Sequence, residues 1–213
     1  MSDRPFKEGY ARGPGGIRLY YRVDGEEGLP LVCANGIGVS TFFWEPFAFE
    51  MRRKYRVVRF DYRGHGRSDS PRDPSDISIA TCVADEAAVM DALGIDRAVL
   101  LGHSMGSQVG FEFYRAHPER VLALVPTLGP YRRAIETFMD SSLSLSAFAV
   151  MKAVVGAAPS MISRTMRPIL LSGVAEVAAR KLGIVDGALA PKRLMLEYME
   201  HMTRLDLRSY LVL

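Results

Sequence analysis

The stretch AVLLGHSMGSQVGFEFYRA, residues 98–116, decides the fold. It opens on an evenly apolar run at 98–101, passes through Gly102-His103-Ser104-Met105-Gly106, and continues as a helical pattern to Ala116. His117-Pro118 opposes further helix, because the residue before a proline is pushed out of the helical region. A short apolar strand, a tight turn between two glycines and a helix form the setting in which a serine is held on a strained elbow. Gly102 and Gly106 are small where the turn must bring backbone against the neighbouring strand and helix. The helix start leaves the Met105 N–H pointing where an oxyanion would form. Taken alone the G-x-S-x-G pattern is weak: 19 glycines and 16 serines in 213 residues yield about 0.13 matches by chance. A serine that merely caps a structural helix is the competing reading.

Outward from this unit the alternation repeats. Residues 17–23, 30–34, 55–60 and 121–125 are short apolar runs that read as strands. Between two of them Ile79, Val83, Ala87, Met90 and Leu93 recur every three or four residues, and Gly94 supplies a helix stop. Evenly apolar strands alternating with helices predict an α/β fold, a mostly parallel sheet covered on both faces. Near residue 130 the composition changes: fifteen of the 19 glycines precede it and seven of the 11 methionines follow it. Residues 142–158, 162–182 and 191–213 are helical patterns interrupted by Pro159, Pro168 and residues 183–187. Their Met-rich apolar faces fit either a packed helical core or the wall of an apolar pocket.

Composition closes off several classes. With 48% hydrophobic and 24% charged residues the chain is neither collagen-like nor disordered. Its net charge of +3 comes from scattered basic residues, which does not argue for a nucleic-acid partner. Cys33 and Cys82 sit in apolar contexts, which suits a reducing compartment, hence a cytoplasmic location, rather than a disulfide scaffold. The opening MSDRPFKEGY holds no apolar signal segment, and no run of 18 uncharged apolar residues occurs, so no membrane span is expected.

Two further motifs come after strands. Asn35-Gly36-Ile37-Gly38 lies directly after the run at 30–34, and its glycines let the loop fold tightly beside the elbow. There the Ile37 N–H could supply a second oxyanion donor. This loop lacks the G-K-[ST] of a phosphate loop and does not match G-x-G-x-x-G. Asp61-Tyr62-Arg63-Gly64-His65-Gly66-Arg67-Ser68-Asp69 reads chiefly as a hydrogen-bonded loop clamp, with a functional site as the alternative.

These pieces together resemble the α/β-hydrolase family, which includes esterases, lactonases and cofactor-free haloperoxidases. N-G-I-G, D-Y-R-G-H-G-R-S-D, G-H-S-M-G and A-H-P-E-R-V stand in the family's order and spacing over roughly residues 9–130. The resemblance implies a core at 1–130 and a helical cap at 131–213. It implies Ser104 as nucleophile, a covalent acyl-enzyme, and Ile37 and Met105 N–H groups holding the oxyanion, with Gly36, Gly102 and Gly106 as supports. One departure is Asn35, where the family usually has His; because the donor is the Ile37 backbone, the hole is expected to survive. The implied substrate is a small ester or lactone, with no metal and no cofactor. Haloperoxidase-like perhydrolysis by the same serine is one alternative, and a non-catalytic binding protein on the same fold is another. Serine at the elbow argues against haloalkane dehalogenases and epoxide hydrolases, which use aspartate there.

The family's acid and histidine come after the cap, on loops following two further strands. This chain ends at Leu213 within LRSYLVL, which resembles an unfinished cap helix. His65 belongs to the loop motif, His103 neighbours the nucleophile and is expected to point away from it, and His117 precedes a proline. His201, Asp140, Asp186 and Asp206 fall in the cap. The expectation is a core lacking its C-terminal strands, acid and histidine: a gene fragment, an excerpt of a longer protein, or an inactive relative. Such a chain should be poorly active alone, since a serine without a base is a poor nucleophile. Substrate identity and oligomeric state cannot be read from the sequence.

Overall fold

The computed structural model describes residues 6–129, 149–150, 153–157, 159–181 and 191–204. Six strands form one sheet: β1 (Phe6–Arg12), β2 (Arg18–Asp24), β3 (Leu29–Ala34), β4 (Tyr55–Phe60), β5 (Ala98–His103) and β6 (Val121–Thr127). Their order is β1-β2-β4-β3-β5-β6. β1 and β2 pair antiparallel, β2 joins β4 antiparallel, and the remaining pairings are parallel. The α/β fold with a mostly parallel sheet is therefore present, with β1 added to the expected strands.

Both faces of the central strands are buried, and this explains their evenly apolar sequences. In β3, Val32 and Ala34 face one cluster while Leu31 and Cys33 face the other. The first cluster lies under α2 (Ile79–Ala92) and α3 (Met105–Ala116), which contribute Cys82, Val89, Met90, Val109 and Phe113. The second is covered by α1 (Glu45–Met51) and the 3₁₀ turn Thr41–Trp44, through Ala48 and Trp44. Ser78 opens α2 with a reciprocal cap: its hydroxyl accepts the Thr81 N–H at 3.1 Å, and its own N–H donates to Thr81 Oγ1 at 2.8 Å. Gly94, at φ +63°, follows its end as the sequence predicts. Cys33 and Cys82 are free thiols buried in these two layers.

In the second half the described residues are helical. Helix α4 (Pro159–Leu171) runs straight through Pro168, where the sequence reading placed a break. Proline there removes one N–H bond and crowds the preceding turn, yet the helix continues, and the Ser172 N–H donates to the Pro168 carbonyl at 3.0 Å. The interruption falls instead at Gly173, at φ +76°, before α5 (Val174–Lys181). Pro159 begins α4, a position where its missing N–H costs nothing. Met161 and Met166 are exposed on α4, whereas Met195 and Met199 of α6 (Lys192–Met202) are buried. Asp140, Asp186 and Asp206 lie outside the described residues, as does the 205–213 part of the helical pattern expected over 191–213. Among the described residues no helix is long and apolar enough to cross a membrane.

Strand register brings two loops together. Ala34 of β3 is paired with Gly102 of β5, so the loop after β3 and the turn after β5 leave the sheet side by side. The C-terminal ends of parallel strands are where open α/β sheets place their crevices.

Candidate active site

Ser104 sits between β5 and α3 with φ +52° and ψ −118°, a backbone state that a non-glycine residue adopts only when its surroundings impose it. It occupies the position before the helix, yet its side chain makes no capping bond, which weighs against the plain N-cap reading. The elbow is tied from outside. The Ser104 N–H donates to the Thr127 carbonyl at 3.0 Å. The Ser107 and Thr127 hydroxyls both donate to the Gly102 carbonyl at 2.9 Å. A side chain at Gly106 would collide with the Ala34 carbonyl, so glycine is what lets α3 pack this closely on β3.

The glycine loop closes on the other side. A Cβ at Gly36 would lie 2.9 Å from His103 Nδ1 and 3.1 Å from Ser104 Cβ, so loop and elbow are in contact. Ile37 lies within a turn closed by the Val39 N–H on the Gly36 carbonyl. Met105, as first residue of α3, has no carbonyl of its own helix to bond. Gly36, Ile37, Gly102, Ser104, Met105 and Gly106 are thus brought together at the C-terminal ends of β3 and β5, in the middle of the sheet.

Asn35 is fully buried, and its Nδ2 donates to the Phe60 carbonyl at 2.6 Å, joining the ends of β3 and β4. The Asp61–Asp69 motif is a clamp. Asp61 accepts the Thr41 N–H at 2.7 Å and the Arg67 N–H at 2.9 Å. Burial pushes its carboxyl up to about 7, against the pull of those two N–H groups and the Arg59 guanidinium. Arg63 reaches across to Asp85 in a buried, two-pronged ion pair with bonds of 2.8 and 2.5 Å. His65 Nδ1 lies 3.1 Å from the Arg63 carbonyl and must donate to it, which leaves Nε2 to accept the Gly38 N–H at 3.3 Å. One neutral tautomer satisfies both bonds, and burial lowers the pKa of the ring accordingly.

Three features of this site were beyond sequence reasoning. His103 stacks on Phe43 with ring centroids 4.3 Å apart, and burial lowers its pKa. Thr127, 23 residues after the serine, anchors the elbow only because β6 pairs with β5. His201, assigned to a cap helix, is buried beside His65 with ring centroids 6.4 Å apart. Strand pairing was the missing signal for Thr127, and the packing of a turn and of a distant helix was the missing signal for His103 and His201. Among the described residues no three His, Cys, Asp or Glu side chains converge as a metal ion would require.

Comparison with known proteins places the fold in a family. The RutD protein of Azorhizobium caulinodans, whose name assigns it carbamate hydrolysis, is 37% identical over 115 residues, 54% of this chain and 42% of that one. Epoxide hydrolase 4 of Mus musculus is 32% identical over 111 residues, 52% of this chain and 31% of that one. The chain thus spans under half the length of these curated relatives. A hydrolase structure from Pseudomonas aeruginosa PA01 superposes with a TM-score of 0.71 at 25% identity, over 97% of this chain and 71% of that one. The enol-lactonase of Burkholderia xenovorans LB400 shares the fold, with a TM-score of 0.69 at 23% identity over 96% of this chain and 71% of that one. The sequence model of the α/β hydrolase fold matches residues 30–148, more than half of the chain, and with the sheet order and the elbow in place the protein belongs to the α/β-hydrolase fold family.

Proposed function

We propose that the protein is a serine hydrolase acting on a small ester or lactone through an acyl-enzyme, with Ser104 as nucleophile. The observation that carries this reading is the positive-φ serine held between β5 and α3 and pressed against the Gly36 loop. Ser104 Oγ adds to the substrate carbonyl carbon, and the carbonyl oxygen becomes an oxyanion facing the N–H groups of Met105 and Ile37. Collapse expels the alcohol, which takes up the proton lost by Oγ; in a lactone it stays attached as the far end of the opened ring. Water then adds to the acyl-serine, releasing the acid and restoring the hydroxyl. Residues 1–130 supply the nucleophile and the two oxyanion donors of this chemistry; the acid and histidine that would activate Ser104 are not among them.

The relatives' names include both carbonyl and epoxide chemistry, and the nucleophile separates them. A serine that opened an epoxide would be left as an ether, which water does not cleave. A serine that attacks an ester or carbamate is left as an acyl ester, which water does cleave. The test is prolonged incubation of the 213-residue chain with a fluorophosphonate, followed by peptide mass spectrometry. One adduct on Ser104, absent from Ser104→Ala, is expected. No adduct, or one that persists in Ser104→Ala, would overturn the assignment.

A further inference from the structure

Residues 36–39 form the turn that meets the elbow. The Val39 N–H bonds the Gly36 carbonyl at 3.3 Å, Gly38 stands at φ +72°, and Ile37 is not among the positive-φ residues. That combination is a type II turn, with Ile37 and Gly38 as its central pair. Types I and II differ by a half-turn of the central peptide, and glycine at the third position admits both. The choice between them must come from outside the turn.

His65 makes that choice. Its Nε2 accepts the Gly38 N–H at 3.3 Å, while its Nδ1 donates to the Arg63 carbonyl at 3.1 Å. A trans peptide points its N–H and C=O in opposite directions, so a flipped Ile37–Gly38 peptide would turn the Ile37 carbonyl toward Nε2. Two lone pairs would then face each other. One acceptor thus favours the observed orientation and opposes the other. The ring is held where it can do so: His65 is 3% exposed, edge-on to Tyr62 at 6.3 Å and beside His201 of α6 at 6.4 Å. Burial also disfavours the charged ring, in which Nε2 would become a donor. The ends of the loop are tied separately, Asn35 to the Phe60 carbonyl and Thr41 to Asp61. The bond from His65 acts on the turn itself.

We propose that His65 is a positioning residue for the Ser104 reaction: the lone pair on its Nε2 selects the observed orientation of the Ile37–Gly38 peptide and so keeps the 36–39 turn seated against the elbow. The inference rests on the Ser104 site proposed above. Gly36 of this turn lies against Ser104 Cβ and His103, so a turn that flips between two forms would hold the surroundings of the serine loosely. A misplacement of about 1 Å away from the reacting atoms can cost roughly a hundredfold in rate.

The test compares two amide replacements. A glutamine amide reaches as far along the side chain as Nε2, whereas an asparagine amide reaches only as far as Nδ1. His65→Gln therefore keeps an acceptor for the Gly38 N–H and gives up the donor to the Arg63 carbonyl; His65→Asn does the reverse. Each variant loses one uncharged hydrogen bond, so a purely structural role would move both alike. The readouts are the rate at which a fluorophosphonate labels Ser104 and the exchange rate of the Gly38 amide proton, with thermal melting as the control for folding. In His65→Asn, labelling should slow at least about tenfold and Gly38 exchange should quicken at least about tenfold. His65→Gln should recover both to within about threefold of wild type. Both should melt cooperatively, because the ties of Asn35 and Thr41 remain. Labelling slowed at least as much in His65→Gln as in His65→Asn, or slowed in neither, would overturn the proposal while leaving Ser104 as nucleophile. Unchanged Gly38 exchange in His65→Asn would overturn it equally. No labelling of the wild type would overturn the nucleophile and this inference with it. If His65→Asn does not fold, the wild type decides: phosphonylation of Ser104 should shift the His65 Nε2 and Gly38 amide resonances, and unmoved resonances would overturn the proposal.

Discussion

Glu86 is the most exposed to experiment of all the buried groups, because nothing in the fold offsets its burial. It stands on the inner face of α2 at 0% exposure, and neither carboxylate oxygen has a hydrogen-bond partner. Burial alone pushes its pKa up from 4.5 to about 8. In the folded protein the group is therefore a neutral acid up to about pH 8, while in the unfolded chain it ionises from pH 4.5 upward. The unfolded state binds fewer protons throughout that window, so folding loses stability as pH rises across it. At 1.36 kcal/mol per unit, Glu86 costs under about 1 kcal/mol at pH 5, about 3 at pH 7 and about 5 above pH 8. Glu86→Gln keeps the shape and cannot ionise. Its stability relative to wild type should therefore improve by about 2–3 kcal/mol between pH 5 and pH 7. Urea unfolding of both proteins at pH 5, 7 and 8.5 measures this, and the difference cancels Asp61, which titrates identically in each. A wild-type-to-variant difference that stays constant across the three pH values would refute the reasoning and show Glu86 to be ionised in the fold.

The same geometry sets two more expectations. Asp85→Asn strands the buried Arg63 guanidinium and should cost about 3–5 kcal/mol in urea unfolding; a loss below about 1 kcal/mol would mean that water reaches the pair. Gly36→Ala puts a methyl 2.9 Å from His103 Nδ1 and 3.1 Å from Ser104 Cβ. It should slow phosphonate labelling of Ser104 at least about tenfold while leaving the melting transition cooperative; unchanged labelling would show that loop and elbow do not act together.

The strand–turn–helix unit was legible because three independent signals coincide in it: an even apolar run, glycines at the turn, and a proline stop. The central strands were legible for a related reason, since burial on both faces removes polar residues altogether. β1 was not, because FKEGYAR is an edge strand with most side chains in water and carries no apolar run. Nor was α1, whose seven residues are too few for a period to show. Asp85 and Glu86 sit in the middle of the buried face of α2, and two adjacent acids read as a solvent-facing side in any pattern. The continuous α4 shows the limit of a local rule: proline weakens a helix by one bond, and the rest of the helix decides whether it breaks. At the candidate site the residues were legible and their meeting was not. Gly36 and Ser104 are 68 positions apart, and only the β3–β5 pairing makes them neighbours.

The tie between Ser104 and Thr127 also sets an order of events in time. During synthesis the serine leaves the ribosome 23 residues before the carbonyl that will hold it, at a synthesis rate of roughly 5–20 residues per second. Until β6 docks, the elbow has the Ser107 hydroxyl on the Gly102 carbonyl and the packing of Gly106 on Ala34, but it lacks both ties from Thr127. The shape on which its chemistry depends therefore arrives with β6, the last of the six described strands to be made. The placement of the serine is thus completed only when the sixth strand has been added.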